Sequence, residues 1–551
     1  MNKKLVIALF AAISMFSAAP ASYAVEMHDA SAHAPMLPLR QAAESIGAKV
    51  KWDNQQKRVT VEYDRHQWAV RPGEAQSEID GDPFELSAAA SYDDKAVLLV
   101  PVDDFNRALD VKIDWSAKGE PIIRPTDVKT KASRFVKLLE SGQTAQARSM
   151  MSDDLKKALP ESMLKATWQQ LGAMFGTLTA LKERSEEITA VHQNVRLLYQ
   201  NGQGMHVSLE LRFDADNKLN DMYIPYSMAA DTYKSPSYYN PAKFTEQEVV
   251  VGTGKLALPG TLTIPVGEGP FPAVVLVQGS GPNDRDESMG GSKMFRDLAG
   301  GLANHGIAVL RYEKRTREHP FKSQHPKFSV RDETIDDAIA AIQVLKTKKQ
   351  IDPKRLFVLG HSQGGMLVPR MIEQDQDKAI AGAMIMAGPA GSIEDVMAVQ
   401  FKGMVDRAKQ AGAPQETIAQ LEAQAKQWDG VLALLNNPAY SAANLPPSFP
   451  MPNAYWWFDF RNYKGGEIAK SQSVPLFIAQ GDNDVQVDKT HLDGWKSALA
   501  ERKNVTYKLY QKLNHFFTPY DKPSTGEEYG IPANVPETVI EDLAKWVKET
   551  K

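Results

Sequence analysis

There is no cysteine anywhere in the 551 residues. That absence excludes disulfides, thiolate metal sites, a cysteine nucleophile and a lipid anchor attached through an N-terminal thioether. A basic block is missing too. Sixty-four Lys and Arg stand against 68 Asp and Glu, a formal charge of −4, so nucleic acid is not an expected partner. No apolar run reaches the ~20 residues of a membrane-spanning helix. The apolar content of 43% is that of a globular chain, and the length calls for three or four folding units.

What is present begins with a leader. Lys3 and Lys4 precede a short apolar run from Leu5 to Phe16, and Ser22 and Ala24 are small residues at cleavage-site spacing. This pattern predicts a signal peptide over 1–24, cleaved after Ala24, and a secreted mature chain without a membrane span. His28 and His33 lie in a polar lead-in and are expected to be solvated. No histidine cluster has ligand spacing, so neither a metal nor a cofactor is expected.

An internal repeat follows. Pro38-Leu39-Arg40 leads through Glu44-Ser45-Ile46-Gly47 to Val50-Lys51-Trp52-Asp53, and Pro101-Val102-Asp103 leads through Arg107-Ala108-Leu109-Asp110 to Ile113-Asp114-Trp115. Each copy reads as a short amphipathic helix and then an alternating strand. The pattern resembles the small domain named after the N-terminal domain of copper amine oxidases, over about 36–124. The resemblance implies a small α+β stalk unit over 25–125, with a cell-wall or surface contact as its partner. Trp52 and Trp115 are expected to anchor its core, given the area an aromatic ring buries.

Residues 126–235 change character. K-A-S-R-F-V-K-L-L-E-S-G and A-R-S-M-M-S-D-D-L-K-K-A-L are helical in period, and Gly142 suits a helix stop. V-R-L-L-Y-Q-N-G-Q-G-M-H-V-S-L-E-L alternates as a hairpin around Asn201-Gly202. Helices before an antiparallel sheet make a second α+β unit. It resembles a bacterial domain of unknown function with a cone-shaped fold like nuclear transport factor. His192 and His206 are expected to be structural or exposed. The Tyr- and Pro-rich stretch Y-K-S-P-S-Y-Y-N-P-A from Tyr233 reads as a linker. A chain starting near residue 240 is therefore expected to hold the whole hydrolytic unit.

Beyond the linker, buried-strand runs (A-V-V-L-V, I-A-V-L-R-Y, R-L-F-V-L-G, V-P-L-F-I-A-Q) alternate with helical segments. Such alternation predicts a mostly parallel sheet with helices on both faces. Ligands in such sheets bind at the carboxyl ends of strands. Ser362, in Gly360-His361-Ser362-Gln363-Gly364, lies immediately past one of them, at the spacing of a nucleophile elbow. Gly360 and Gly364 give that turn room, and Gly365 lets the next helix start close to the sheet. Pro369, inside that helix, removes a backbone donor and predicts a kink in a helix that continues.

A serine hydroxyl needs a base, and the base needs an orienting group. After the run 474–480 three carboxylates stand near the strand end: Asp482, Asp484 and Asp488. Two histidines remain. His491 is close in sequence and opens a helical stretch, so His515 is the base by elimination. The order Ser, Asp, His is that of α/β-hydrolases. From about 245 to the end the chain resembles that family, in particular bacterial esterases close to the serine aminopeptidase-type hydrolases. Gly481, Asp484 and Val487 match the family's G-x-x-D-x-x-V run, which makes Asp484 its acid. The resemblance also implies an oxyanion hole from the amides of Gln363 and Ser280. Gln278 stands where many relatives have histidine and is a candidate substrate contact. Asp284, Arg285, Asp286, Arg311 and Asp336 read as loop-bracing ion pairs.

An insertion at 392–470 is helical in period and ends in A-Y-W-W-F-D-F. At this position it resembles the helical cap of α/β-hydrolases. Trp456, Trp457, Phe458 and Phe460 either line an acyl pocket or fasten the cap to the body. The expected architecture is thus a C-terminal α/β-hydrolase over 236–551 behind two small α+β domains. The expected function is that of an exported serine carboxylesterase forming an acyl-enzyme on small-molecule esters. A peptidase or thioesterase on the same triad, and a surface-binding protein with a hydrolase scaffold, are the alternatives.

Overall fold

The computed structural model describes residues 35–63, 66–109, 111–115, 121–125, 127–224 and 232–550. The leader, His28 and His33 lie outside the described residues. Two compact units divide near residue 228. Among the described residues no helix is long and apolar enough to cross a membrane, and no group of three or more His, Asp or Glu could hold a metal ion.

In the first unit the repeat is visible as strand, helix and hairpin. One copy has Met36–Pro38, Leu39–Ser45, Lys49–Asp53 and Arg58–Tyr63; the other has Leu98–Pro101, Val102–Ala108, Val111–Trp115 and Pro121–Pro125. Their opening strands pair antiparallel, Leu37 opposite Val100. The prolines occupy helix N-caps, where a missing N–H costs nothing. The core is centred on fully buried Trp68, whose indole donates to Ser77 Oγ at 3.1 Å. Trp52 does not join it. Its side chain is 43% exposed, because Lys49–Asp53 is the edge strand of a five-stranded sheet and Trp52 adjoins the turn beyond it. The expectation of a core anchor is therefore corrected for Trp52, and the Trp115 side chain lies outside the described residues.

The rest of this unit has helices Val128–Glu140, Thr144–Ser149, Asp153–Ala158 and Glu161–Phe175 before a four-stranded antiparallel sheet over 178–223. Asp127 and Ser152 cap two of the helices by accepting from Thr130 and Leu155 amides. Gly142 follows the first helix at φ 75°. His192 is buried against Asn220, and His206 is exposed.

The second unit is a sheet of eight strands: β1 Phe244–Val251, β2 Leu258–Pro265, β3 Phe271–Val277, β4 Ala308–Tyr312, β5 Ile351–His361, β6 Ile380–Met386, β7 Leu476–Gly481 and β8 Val505–Tyr510. Their order is β1-β2-β4-β3-β5-β6-β7-β8, with β2 antiparallel to both neighbours and the rest of the sheet parallel. Because side chains alternate across a strand, consecutive apolar residues feed opposite faces. Val275 and Val277 meet α2 (Asp336–Lys346), α3 (Gln363–Gln374) and α7 (Thr490–Ala498) through Ile342, Leu367 and Trp495. Val274 and Leu276 meet α1 (Met294–Asn304) and α8 (Glu537–Glu549) through Leu298, Ile540 and Leu543. Helix α3 runs unbroken through Pro369.

The Tyr-rich stretch is not a free linker. Tyr233 Oη donates to Asp297 Oδ1 at 2.7 Å, Tyr238 Oη donates to the Val535 carbonyl at 2.6 Å, and Asn304 donates to the Tyr238 carbonyl. The Tyr239 ring lies on Gly300 of α1, where a methyl group would overlap it, and Gly301 makes the same allowance for Ile540. Two glycines inside a helix cost about 1 kcal/mol each; here they admit the ring and the neighbouring helix. The chain from Tyr233 is thus part of the body of the second unit, because aromatic rings and hydroxyls read as linker composition find pockets and acceptors there.

Between β6 and β7 lie α4 (Ile393–Gln410), α5 (Gln415–Leu435) and α6 (Ala454–Phe460). Trp428, Val431, Leu435 and Phe458 form an apolar cluster, with Phe401, Phe449 and Trp457 packed on it. Trp456 and Phe460, on the other side of α6, belong instead to the core beneath the sheet.

Candidate active site

Strand β5 ends at His361 and α3 starts at Gln363, which leaves Ser362 alone in the turn at φ 52° and ψ −118°. A side chain in that region costs about 1–3 kcal/mol and persists where its surroundings enforce it. Here they do. Ser362 N–H bonds the Met386 carbonyl at 2.9 Å, and its own carbonyl accepts from Met366 at 2.9 Å. A Cβ on Gly360 would overlap Gly364, one on Gly364 would overlap the Val277 carbonyl, and one on Gly365 would stand 2.8 Å from the Gly360 carbonyl. Ser362 is half-buried, and its hydroxyl makes no hydrogen bond among the described residues.

The three carboxylates near the β7 end separate by what they touch. Asp482 accepts from the Lys512 amide at 2.6 Å, and Asp488 accepts from the Thr490 amide at the start of α7. Asp484 alone reaches a histidine, with Oδ2 2.8 Å from His515 Nδ1. Its other oxygen accepts from the Gln486 and Val487 amides at 2.8 and 2.9 Å, and Gln480 Nε2 donates to Oδ2 at 2.9 Å. The carboxylate is therefore fixed in orientation and buried with its imidazole. His491 lies in α7 and takes no part in this pair.

The two halves meet at the elbow. The His361 ring lies against His515, centroids 4.7 Å apart, and His361 Nε2 donates to the His515 carbonyl at 2.9 Å. His361 Nδ1 lies 3.0 Å from Glu287 Oε1, in an ion-pair contact buried on both sides. Burial works against the charged imidazole, but the Glu287 carboxylate outweighs it and the His361 pKa is raised.

The loop after β3 closes on Ser362 from the other side. A methyl group on Gly279 would stand 3.0 Å from Ser362 Cβ and 3.5 Å from Ser362 Oγ. The next amide, of exposed Ser280, donates to no described residue. The Gln363 amide opens α3 and has no acceptor within the helix. Gln278 is buried and its side-chain nitrogen donates to the Tyr312 carbonyl, which ties β3 to the β4 end. Of the five charges expected to brace the loop by ion pairs, Arg285, Asp286 and Arg311 do so, whereas Asp284 holds backbone amides and Asp336 pairs elsewhere. Arg285 pairs with Glu313 and Glu248, Arg311 with Asp286 and Glu246, and Asp284 accepts from the Asp286 and Ser288 amides. Asp336 pairs with Arg331 on the surface. Trp456 approaches the elbow through its indole N–H, whereas Trp457 and Phe458 pack inside the cap.

Three charged residues were not singled out by pattern: Glu287, Lys314 and Glu333. Lys314 follows the end of β4, a position where a charged residue is a usable signal. Glu333 sits in a wide turn, Arg331–Ile335, that no spacing marks.

A strained serine between strand and helix, on a sheet with one reversed strand and a late Asp–His pair, defines an α/β-hydrolase. The comparisons agree. A serine aminopeptidase S33 model matches residues 289–518, a copper amine oxidase N-terminal domain model 30–123, and a model of unknown function (DUF3887) 132–222. Esterase EstD of Thermotoga maritima is 32% identical over 417 residues, 75% of this chain and 93% of that protein. The chain belongs to this family of α/β-hydrolase esterases. Among solved structures, an esterase of Pyrococcus furiosus is 16% identical, covering 59% of this chain and 99% of its own, with a TM-score of 0.37. Est1E from Butyrivibrio proteoclasticus is 15% identical, covering 55% and 98%, with a TM-score of 0.33.

Proposed function

We propose that the protein is an exported serine carboxylesterase whose triad is Ser362, His515 and Asp484. The observation that carries the reading is the 2.8 Å bond from His515 Nδ1 to Asp484, which leaves the imidazole's other nitrogen as the base, with the ring packed on His361, the residue before a serine strained at φ 52°. In the reaction Ser362 Oγ attacks the ester carbonyl carbon while its proton passes to His515 Nε2. The carbonyl π pair moves onto oxygen, where the Gln363 and Ser280 amides receive it. The carbon–oxygen bond to the alcohol then breaks, and His515 returns the proton to the departing oxygen. Water repeats the sequence on the acyl-enzyme and releases the acid. Asp484 holds the tautomer and stabilises the imidazolium. Ser362 and His515 are not hydrogen-bonded at rest, as is common before substrate arrives.

A peptidase or thioesterase would use the same steps with a different leaving group. The Esterase EstD relationship favours esters, and the leader, with Lys3 and Lys4 before an apolar run, supports export. Ser362→Ala is expected to abolish hydrolysis of p-nitrophenyl acetate and butyrate and to end labelling by a fluorophosphonate. Ester turnover of the alanine variant at a rate comparable to wild type would refute the assignment. In the same assay, faster cleavage of aminoacyl amides than of esters would make the protein a peptidase.

A further inference from the structure

The loop peptide beside Ser362 is held by two buried charges of opposite sign. Glu287 Oε1 accepts the Gly279 N–H at 2.6 Å, and Lys314 Nζ donates to the Gly279 carbonyl at 2.5 Å. Asn283 Nδ2 adds a bond to the same carbonyl at 3.2 Å. Each charge is backed by a partner that also reaches the elbow. Glu287 faces His361, the residue before Ser362. Lys314 pairs with Glu333 Oε1 at 3.0 Å, and Glu333 Oε2 accepts from the Gln363 side chain at 3.4 Å, the residue after Ser362. Trp456 of the cap donates its indole N–H to the same oxygen at 2.8 Å. Lys314 is 2% exposed and Glu333 8%.

In a trans peptide the C=O and the following N–H point in opposite directions. Fixing the Gly279 carbonyl therefore fixes where the Ser280 N–H points. Burying an ammonium and a carboxylate is costly unless both are paired and bonded. The pair is therefore a weak device for stability alone and a strong one for geometry. Resting on the oxyanion role proposed for Ser280, we infer that Lys314 is a positioning residue. Through the Gly279 carbonyl it aims the Ser280 N–H at the oxyanion, and Glu333 holds it in register with the elbow and the cap. The contribution falls on the transition state, because the oxygen gains its charge only there.

The test is Lys314→Met, with Lys314→Met/Glu333→Gln as the companion that leaves no unpaired charge. Both are read by kcat and KM on p-nitrophenyl butyrate, by the rate and site of fluorophosphonate labelling, and by a thermal melt. Loss of one oxyanion donor lowers kcat by roughly 100- to 1000-fold, so a fall of about 100-fold is expected in each folded variant. KM should stay within about threefold, and labelling should be slower but still at Ser362. A folded variant with kcat within threefold of wild type, or with KM raised and kcat kept, overturns the inference. So does failure of both variants to fold, which would make the pair a stability element. Labelling of wild type at a residue other than Ser362 refutes the nucleophile assignment instead, whatever Lys314 does.

Discussion

Tyr233→Phe removes a single oxygen from a stretch whose composition reads as linker. That oxygen donates to Asp297 Oδ1 at 2.7 Å, and Asp297 also accepts from the Val535 amide at 3.0 Å and from Asn534. Burial pushes the Asp297 pKa from 3.8 up to about 6, with these bonds acting against it. A raised folded pKa means that the fold favours the protonated acid. Its contribution is complete below about pH 3.8 and is lost as pH rises through about 6. At about 1.4 kcal/mol per unit, the ionised carboxylate costs the fold about 3 kcal/mol at pH 8.

The Tyr233 hydroxyl limits that cost. A bond to a charged acceptor contributes about 1.5–3 kcal/mol, and one to a neutral acid about 0.5–1.5 kcal/mol. The unit from residue 229 on has about 320 residues, so its melting entropy is about 0.7 kcal/mol/K. The midpoint of heat inactivation of ester hydrolysis should therefore fall by about 2–4 °C at pH 8 and by about 1–2 °C at pH 5. Equal shifts at the two pH values, or none at pH 8, would refute the reasoning from a buried, partly neutralised carboxylate.

Two further predictions concern the ends of the functional chain. A protein starting at Thr232 should keep esterase activity and heat stability, whereas one starting at Asn240 should be inactivated at a lower temperature because it lacks the Tyr233, Tyr238 and Tyr239 contacts. Matched inactivation midpoints for the two would show that these contacts contribute nothing. Expressed in a bacterial host with its own leader, the protein should appear outside the cytoplasm with Val25 as its first residue. N-terminal sequencing that finds Met1 in the cytoplasm would refute export.

Local pattern carried the elbow and the sheet, because a buried parallel strand, a glycine-lined turn and a helix are adjacent in sequence. The acid was harder. Asp482, Asp484 and Asp488 have equal standing by composition, and each accepts from backbone amides; what separates them is that Asp484 alone reaches His515. Trp52 misled because alternation tells which face a residue takes but not whether its strand is an edge. The Tyr-rich stretch misled because proline and polar neighbours mark irregular backbone, not absence of packing. Glu287 and Glu333 left no mark for a different reason, and Lys314 only its place beyond a strand end. Their partners come from separate loops, so only the folded sheet makes them a set.

Helix α6 points two ways. Trp456 and Phe460, one turn apart, are seated in the body, while Trp457 and Phe458 close a separate cluster drawn wholly from the insertion. That division lets descent treat the roof as a replaceable part. Changes at Trp428, Phe449 or Phe458 act within the insertion's own cluster and leave the sheet, the elbow and the Asp484–His515 pair to be inherited intact. Packing of the insertion and packing of the catalytic body can then vary on separate stretches of one gene.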